Sequence, residues 1–290
     1  MNKPLLGSHV KMTKAGKYLI GSVEEALSYN ANTFMIFTGP PQNSNRVDTN
    51  LLNIDQMHNL LKKNNINSKH LVVHGAYIIN IANSVNDKTW NFGVEMLIKE
   101  VQRCEQIGID ILVLHPGSYT TGSYQNSLRQ IVRALDMVSD HQMNVKIALE
   151  TMSGKGTEVC YKFDDFKYIF ENVKNPDKIG ICLDTCHMND AGYDIKKWDQ
   201  VKKELTRHMS LEKVLCIHLN DSKNALSSHK DRHENIGYGY IGFDALCNVV
   251  WDEDFKNVPK ILETPYVDDK FAPYKIEIED LVNKKFTDRL

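Results

Sequence analysis

ILVLH, residues Ile111–His115, is an unbroken apolar run that ends on an imidazole. A short Val/Ile/Leu run without alternation suits a parallel strand covered on both faces, because neither side then meets water. Five further runs repeat the layout: LVVH ending at His74, IALE at Glu150, GICLD at Asp184, LCIHL carrying His218, and KILE at Glu263. Each reaches, at or one step short of its C-terminal end, a side chain that can bind a metal. A single histidine at a strand end is ordinarily a rim residue. Six ends drawn only from His, Asp and Glu describe a shared polar mouth. Parallel strands lying side by side bring their C-terminal ends together, and in a (β/α)8 barrel that end is where active sites are built.

Working outward, eight strand candidates alternate with helical patterns: Leu5–Val10, Thr33–Thr38, His70–His74, Asp110–His115, Val145–Glu150, Ile179–Asp184, Val214–Leu219 and Lys260–Glu263. Trp90–Ile107 carries Phe92, Met96, Leu97, Val101 and Cys104 at helical steps, and Tyr124–Asp140 carries Leu128, Ile131, Val132, Leu135 and Val138 in the same way. A last amphipathic segment with Ile276, Ile278, Leu281, Val282 and Phe286 is expected to close the ring. This alternation gives an α/β fold with right-handed crossovers. No Gly-rich dinucleotide turn follows the first strand, so a (β/α)8 TIM barrel is favoured over an open doubly wound sheet, as a single domain over residues 1–290.

An apolar content of 42% and a charged content of 25% are those of a soluble globular chain, and no stretch suggests a membrane span. The start MNKPLLGSHV lacks the layout of a secretion signal, so a cytoplasmic location is expected. The six cysteines form no CxxC pair, and Cys182 and Cys216 sit inside apolar runs, which reads as buried thiols in a reducing compartment. The net charge of −2 gives no hint of nucleic-acid binding, although a local field can differ from the sum.

The loops supply more donors. Within LDTCH, Asp184 and His187 lie three apart, and in KDRHE an extended backbone would turn Asp231 and His233 to the same side. The candidate ligands are then nine: His74, His115, Glu150, Asp184, His187, His218, Asp231, His233 and Glu263. Nine exceed what one ion takes, so two or three ions are expected, with carboxylates bridging. Five imidazoles with four carboxylates favour zinc, or manganese or iron in part, over magnesium or calcium. Clustered ions suit phosphoester hydrolysis. Three divalent ions against four carboxylates leave about +2, a match for a phosphodiester despite the acidic chain.

The strings LVVHGAY, LVLHPGS, ICLDTCHMNDAGYDI and HLNDSKNALSSHKDRHENIGYGYIG, with LETPY, closely resemble endonuclease IV, the zinc-dependent abasic-site endonuclease of base excision repair. The likeness runs from Gly7 to Tyr274. It implies a TIM barrel with three zinc ions per chain, in which a metal-activated hydroxide hydrolyses the phosphodiester 5′ to an abasic site in double-stranded DNA. The products would be a 3′-hydroxyl and a 5′-deoxyribose phosphate. In that pattern His74 and His115 hold one zinc, and Glu150 bridges it to a second held by Asp184, His218 and Glu263. His187, Asp231 and His233 hold the third. Glu150 and Glu263 are the carboxylates expected at the reaction centre.

The same resemblance implies that loops after the second and third strands enter the DNA and help flip the damaged nucleotide out. Those loops read TGPPQNSNRV and HGAYIIN, which makes Gln42, Arg46 and Tyr77 the candidate DNA contacts, while His9 would line the site without ligating metal. Lys155, Lys223, Lys230 and Arg232 lie in mouth loops where phosphates could be met, whereas His58, His70, His141, His208 and His229 read as structural or surface residues. No obligate protein partner is implied. A metal-dependent sugar isomerase or epimerase on the same barrel is the rival reading, but it would leave His187, Asp231 and His233 without a task. A non-catalytic binder of damaged DNA is a second rival, and it would be expected to have lost ligands.

Overall fold

The protein is described by a computed structural model over residues 3–141 and 144–289. In chain order the strands are β1 (Leu6–His9), β2 (Thr33–Phe37), β3 (Val72–His74), β4 (Ile111–Leu114), β5 (Lys146–Glu150), β6 (Ile179–Asp184), β7 (Val214–His218), β8 (Asp221–Ser222), β9 (His233–Glu234) and β10 (Lys260–Leu262). Eight of them close a barrel in the order β1-β10-β7-β6-β5-β4-β3-β2, while β8 and β9 form a small antiparallel pair above it. Every neighbouring pair in the barrel is parallel. The TIM barrel and its eight strands agree with the sequence reading, except that several strands are shorter. His115 and Glu263 fall one residue beyond β4 and β10.

The strands divide their apolar residues between two cores. Met35, Val72, Ile111, Val113, Ala148, Cys182, Cys216 and Ile261 fill the barrel interior. The residues between them, such as Val73, Leu112, Leu149, Leu183, Ile217 and Leu262, pack outward against the helices. This is why the runs show no alternation of polarity although their side chains alternate in direction. The period of two also aims the strand ends. His74 follows Val72 by two, Glu150 follows Ala148, Asp184 follows Cys182, His218 follows Cys216, and Glu263 follows Ile261, so each of these polar side chains inherits the inward direction. Pairing sets Asp184 directly across from His218 and Phe37 across from His74, which holds them in one layer. All six cysteines are buried free thiols, as the composition implied.

The outer layer consists of α1 (Leu19–Ser28), α2 (Ile54–Lys63), α3 (Asp87–Ile107), α4 (Tyr124–Ser139), α5 (Phe163–Asn172), α6 (Thr185–Ala191), α7 (Trp198–Thr206), α8 (Phe243–Val250) and α9 (Tyr274–Asn283). α3 begins where the Asn86 side chain accepts the Thr89 amide and stops at Gly108, whose φ of 82° forms the left-handed cap. Phe92 departs from the expected buried stripe. Trp90, Val94, Leu97 and Val101 face inward, which turns Phe92 to solvent at 39% exposure. Phe286 lies past the end of α9, where its ring meets Tyr238 and Phe243. Among the described residues, no helix is long and apolar enough to cross a membrane.

Candidate metal centre

Glu150, the last residue of β5, is fully buried and is the hub of the mouth. Its Oε2 lies 3.2 Å from His74 Nε2 and 3.2 Å from His115 Nε2. Its Oε1 lies 3.2 Å from His187 Nδ1 and 3.2 Å from His218 Nδ1. A second group overlaps it: the donor atoms of Glu150, Asp184, His218 and Glu263 lie within 4.8 Å of one another, with His218 Nδ1 3.0 Å from Glu263 Oε2. A third group, His187, Asp231 and His233, meets the same limit of 4.8 Å, with His187 Nε2 3.1 Å from Asp231 Oδ1. The nine residues singled out in the sequence are thus brought together at one end of the barrel.

Backbone carbonyls aim three of the imidazoles. His74 Nδ1 donates to Gly75 O at 2.7 Å, His187 Nδ1 to Thr151 O at 3.0 Å, and His233 Nδ1 to Glu263 O at 3.2 Å. A carbonyl only accepts, so Nδ1 carries a proton in each, and Nε2 is the ring nitrogen left facing the mouth. Asp184 is fixed from three sides. Its Oδ1 accepts the His187 amide at 2.7 Å as the N-cap of α6, its Oδ2 accepts Asn220 Nδ2 at 2.8 Å, and its own amide donates to Thr151 Oγ1 at 2.9 Å. Asn220 Oδ1 in turn accepts the Glu263 amide at 2.9 Å.

Asp231 corrects the spacing argument. Its backbone is left-handed, with φ of 56°, and not extended, so it does not share a face with His233 by alternation. The two converge because the Asp231 amide donates to the buried Asp190 carboxylate at 2.9 Å, which turns the loop back toward α6.

The electrostatics are those of a cation site. Burial works against the charged Glu150 carboxylate, yet His218 and His115 hold its pKa well below the usual carboxylate range. Burial likewise opposes ionised Glu263, and His218 overrides it, so its pKa is also depressed. Asp231 is held down at about 2, chiefly by His187 against the opposing effect of burial. Burial alone would depress the imidazoles of His187, His218 and His115, but Asp184 with Asp231 pushes His187 up, Cys182 with Glu263 and Glu150 pushes His218 up, and Glu150 pushes His115 up. Protons on these rings thus balance the clustered carboxylates, the role a bound cation would take from them. His233 Nε2 is buried without a hydrogen-bond partner, 3.7 Å from Asp184 Oδ2 and 3.8 Å from Asp231 Oδ1. Those separations are too long for hydrogen bonds and leave room for an ion among the three donors. The donor set therefore fits divalent metal ions.

The expected DNA-facing residues divide. Tyr77 is half exposed at the rim, with its ring 5.2 Å from that of His115 and 5.5 Å from that of His74. Gln42 is exposed at the tip of its loop. His9 ends β1 with its ring 5.1 Å from Phe37, and burial lowers its pKa to about 4. Arg46 is otherwise engaged: its Nε lies 2.6 Å from Glu100 Oε1, and its Nη1 donates to Pro40 O, Asn43 O and Asn45 O. The guanidinium is bent inward by these bonds, so Arg46 braces the loop instead of reaching out from it. Lys155 Nζ lies 3.9 Å from Asp231 Oδ2, at the edge of the third group. His58, His208 and His229 bond to Ile107 O, Asp164 and Ser153 O, away from the donors. Thr151, Asn220 and Asp190, which orient the donors, were not singled out in the sequence. Their only signal was position, each one or two residues past a strand end or within α6.

The xylose isomerase-like TIM barrel family model matches residues 23–283. A Mycoplasma capricolum protein named probable endonuclease 4 is 67% identical over 290 residues, covering 100% of both chains. The crystal structure of endonuclease IV from Thermus thermophilus superposes with a TM-score of 0.81 at 26% identity, covering 97% of this chain and 100% of that one. A D-tagatose 3-epimerase-like protein, at a TM-score of 0.69, 18% identity and coverage of 98% and 96%, shares the fold alone. With a relative this similar along its whole length and a donor cluster at the mouth of the same barrel, the chain belongs to the endonuclease IV family of xylose isomerase-like TIM barrels.

Proposed function

We propose that this chain is an apurinic/apyrimidinic endonuclease that hydrolyses the phosphodiester 5′ to an abasic site in duplex DNA, leaving a 3′-hydroxyl and a 5′-deoxyribose phosphate. The observation that carries the reading is the convergence of donor atoms in three neighbouring groups at one end of the barrel, two of which share Glu150. A sugar isomerase with one or two ions would leave the group of His187, Asp231 and His233 without a task. The full-length similarity to a probable endonuclease 4 supports the same choice.

His74 and His115 with Glu150 would hold one ion, Glu150 with Asp184, His218 and Glu263 a second, and His187 with Asp231 and His233 a third. Zinc suits this mixture of imidazole and carboxylate, with manganese or iron in part. Bound there, the ions would supply an activated water and the positive charge that a phosphodiester needs in its transition state. The chain's own part is positioning. Glu150 sets the spacing of the two groups that share it, Glu263 completes the second, and the carbonyls of Gly75, Thr151 and Glu263 keep Nε2 of His74, His187 and His233 turned toward the mouth. His9, with a pKa of about 4, stays neutral at pH 7 and lines the site without adding charge. Tyr77 and Gln42 stand where a duplex would enter and are the proposed contacts to the damaged strand.

The test is incision of a duplex carrying one abasic analogue, with and without a chelator, with the product ends mapped. Chelator-sensitive incision that leaves a 3′-hydroxyl is expected. A 3′-unsaturated aldehyde would mean elimination by a lyase and overturn the proposal.

A further inference from the structure

The loop after β2, residues 38–47, is polar and lacks an apolar anchor of its own at its tip, TGPPQNSNRV. It is gripped instead from behind by α3. Glu100, fully buried in that helix, accepts Thr38 Oγ1 on Oε2 at 2.5 Å and faces Arg46 Nε from Oε1 at 2.6 Å, so one carboxylate ties the first residue of the loop to its ninth. One turn on, Arg103 donates to Val47 O at 2.8 Å and to Thr38 O at 3.1 Å, joining the same two ends by their backbone. Gly39 leaves the space this needs, since a Cβ there would lie 2.6 Å from Asn45 O and 2.8 Å from Arg46 Cδ. The far side of the loop is pinned to the next one, where the Tyr77 amide donates to Pro41 O at 2.9 Å.

We propose that Glu100 is a positioning residue for substrate: through Arg46 and Thr38 it presets loop 38–47, and with it Gln42, in the conformation that enters damaged duplex DNA. The inference rests on the endonuclease reading above. A loop that must be ordered on binding loses affinity to that ordering, and a loop ordered in advance does not. A charged acceptor makes this brace stronger than a neutral one, because charge-assisted bonds are about twice as strong as neutral ones. The brace touches none of the metal-donor residues, so its loss is expected in substrate binding and not in the metal centre.

The experiment compares wild type, Glu100→Gln and Arg46→Gln on two substrates, an abasic duplex and the small diester bis(4-nitrophenyl) phosphate, with bound metal measured in each protein. Both variants are expected to raise KM for the duplex by about 10- to 100-fold, the scale of a misplaced contact group. Duplex kcat, small-diester turnover and metal content should stay within about twofold, and the double variant should be no worse than either single one. An unchanged duplex KM in both variants would overturn the proposal, as would a parallel fall on both substrates or a loss of metal. If Glu100→Gln does not fold, Arg46→Gln at the less buried end of the same pair decides by the same criteria. Failure of the wild type to cut abasic duplex while it hydrolyses the diester would sink the functional reading instead.

Discussion

Glu150→Gln changes almost no volume but removes the charge that faces four imidazole nitrogens at 3.2 Å each. At an effective dielectric of about 20, two unit charges 3.2 Å apart interact by roughly 5 kcal/mol, and part of that is returned by easier burial of the neutral amide. Removing one partner of a buried charge pair costs about 3–5 kcal/mol net. If that cost falls on the ions Glu150 would share, their affinity drops by roughly two to three and a half powers of ten. The amide also places N–H donors where a cation needs a lone pair. The loss is expected to be selective. His187 keeps its Thr151 carbonyl, and Asp231 keeps its Asp190 partner, so the third group retains its geometry. After dialysis against buffer without metal, mass spectrometry should find the two ions next to Glu150 depleted together and the third retained. Incision should fall by at least about 10³-fold, since catalysis needs the shared ions. A Glu150→Gln protein with wild-type metal content and wild-type incision would show that Glu150 is not shared between ions.

Asp190 should control the third ion alone. Its carboxylate accepts the Asp231 amide at 2.9 Å and Ser222 Oγ at 2.7 Å, and Asp190→Asn is expected to weaken that ion by about 10- to 100-fold, measured by competition with a chelating dye. An unchanged affinity at every site would contradict this. Glu277 gives a stability prediction. Burial pushes its carboxyl up to about 7 from 4.5, although Thr264, Ile236 and Asn235 all donate to it. Between those values the folded chain binds more protons than the unfolded one, so this contribution is complete below about pH 4.5 and is lost as pH rises through about 7. The shift corresponds to about 3 kcal/mol, so Glu277→Gln should flatten the fall in unfolding free energy between pH 5 and pH 8 by about that amount. An identical slope in urea titrations of variant and wild type would count against it.

The strand ends were readable in the sequence because a strand repeats every two residues. Once the inward Val72, Ala148, Cys182, Cys216 and Ile261 are fixed by packing, the direction of His74, Glu150, Asp184, His218 and Glu263 follows. Asp231 was found by its residue type while its geometry was misread, because a left-handed backbone held by Asp190 leaves no periodic trace. Arg46 reads in the sequence as a DNA contact because its partner Glu100 lies 54 residues away, a pairing that only the packing of α3 behind the loop creates. Thr151 and Asn220 stayed unnoticed for the same reason, since their bonds to Asp184 join positions 33 and 36 residues apart. Phe92 failed for a different one: a helix stripe admits one large residue off its edge at little cost, and solvent takes it.

If the loop donors complete a third metal group beside the two built on the strand ends, the native protein holds one more ion than the strand ends alone would bind. Counting ions per chain in the native protein and in a variant carrying both Asp231→Ala and His233→Ala tests it most directly. Close to three ions in the native protein and close to two in the variant are expected. One or two ions in the native protein, or the same number in both, would rule out a third site built on the loop donors.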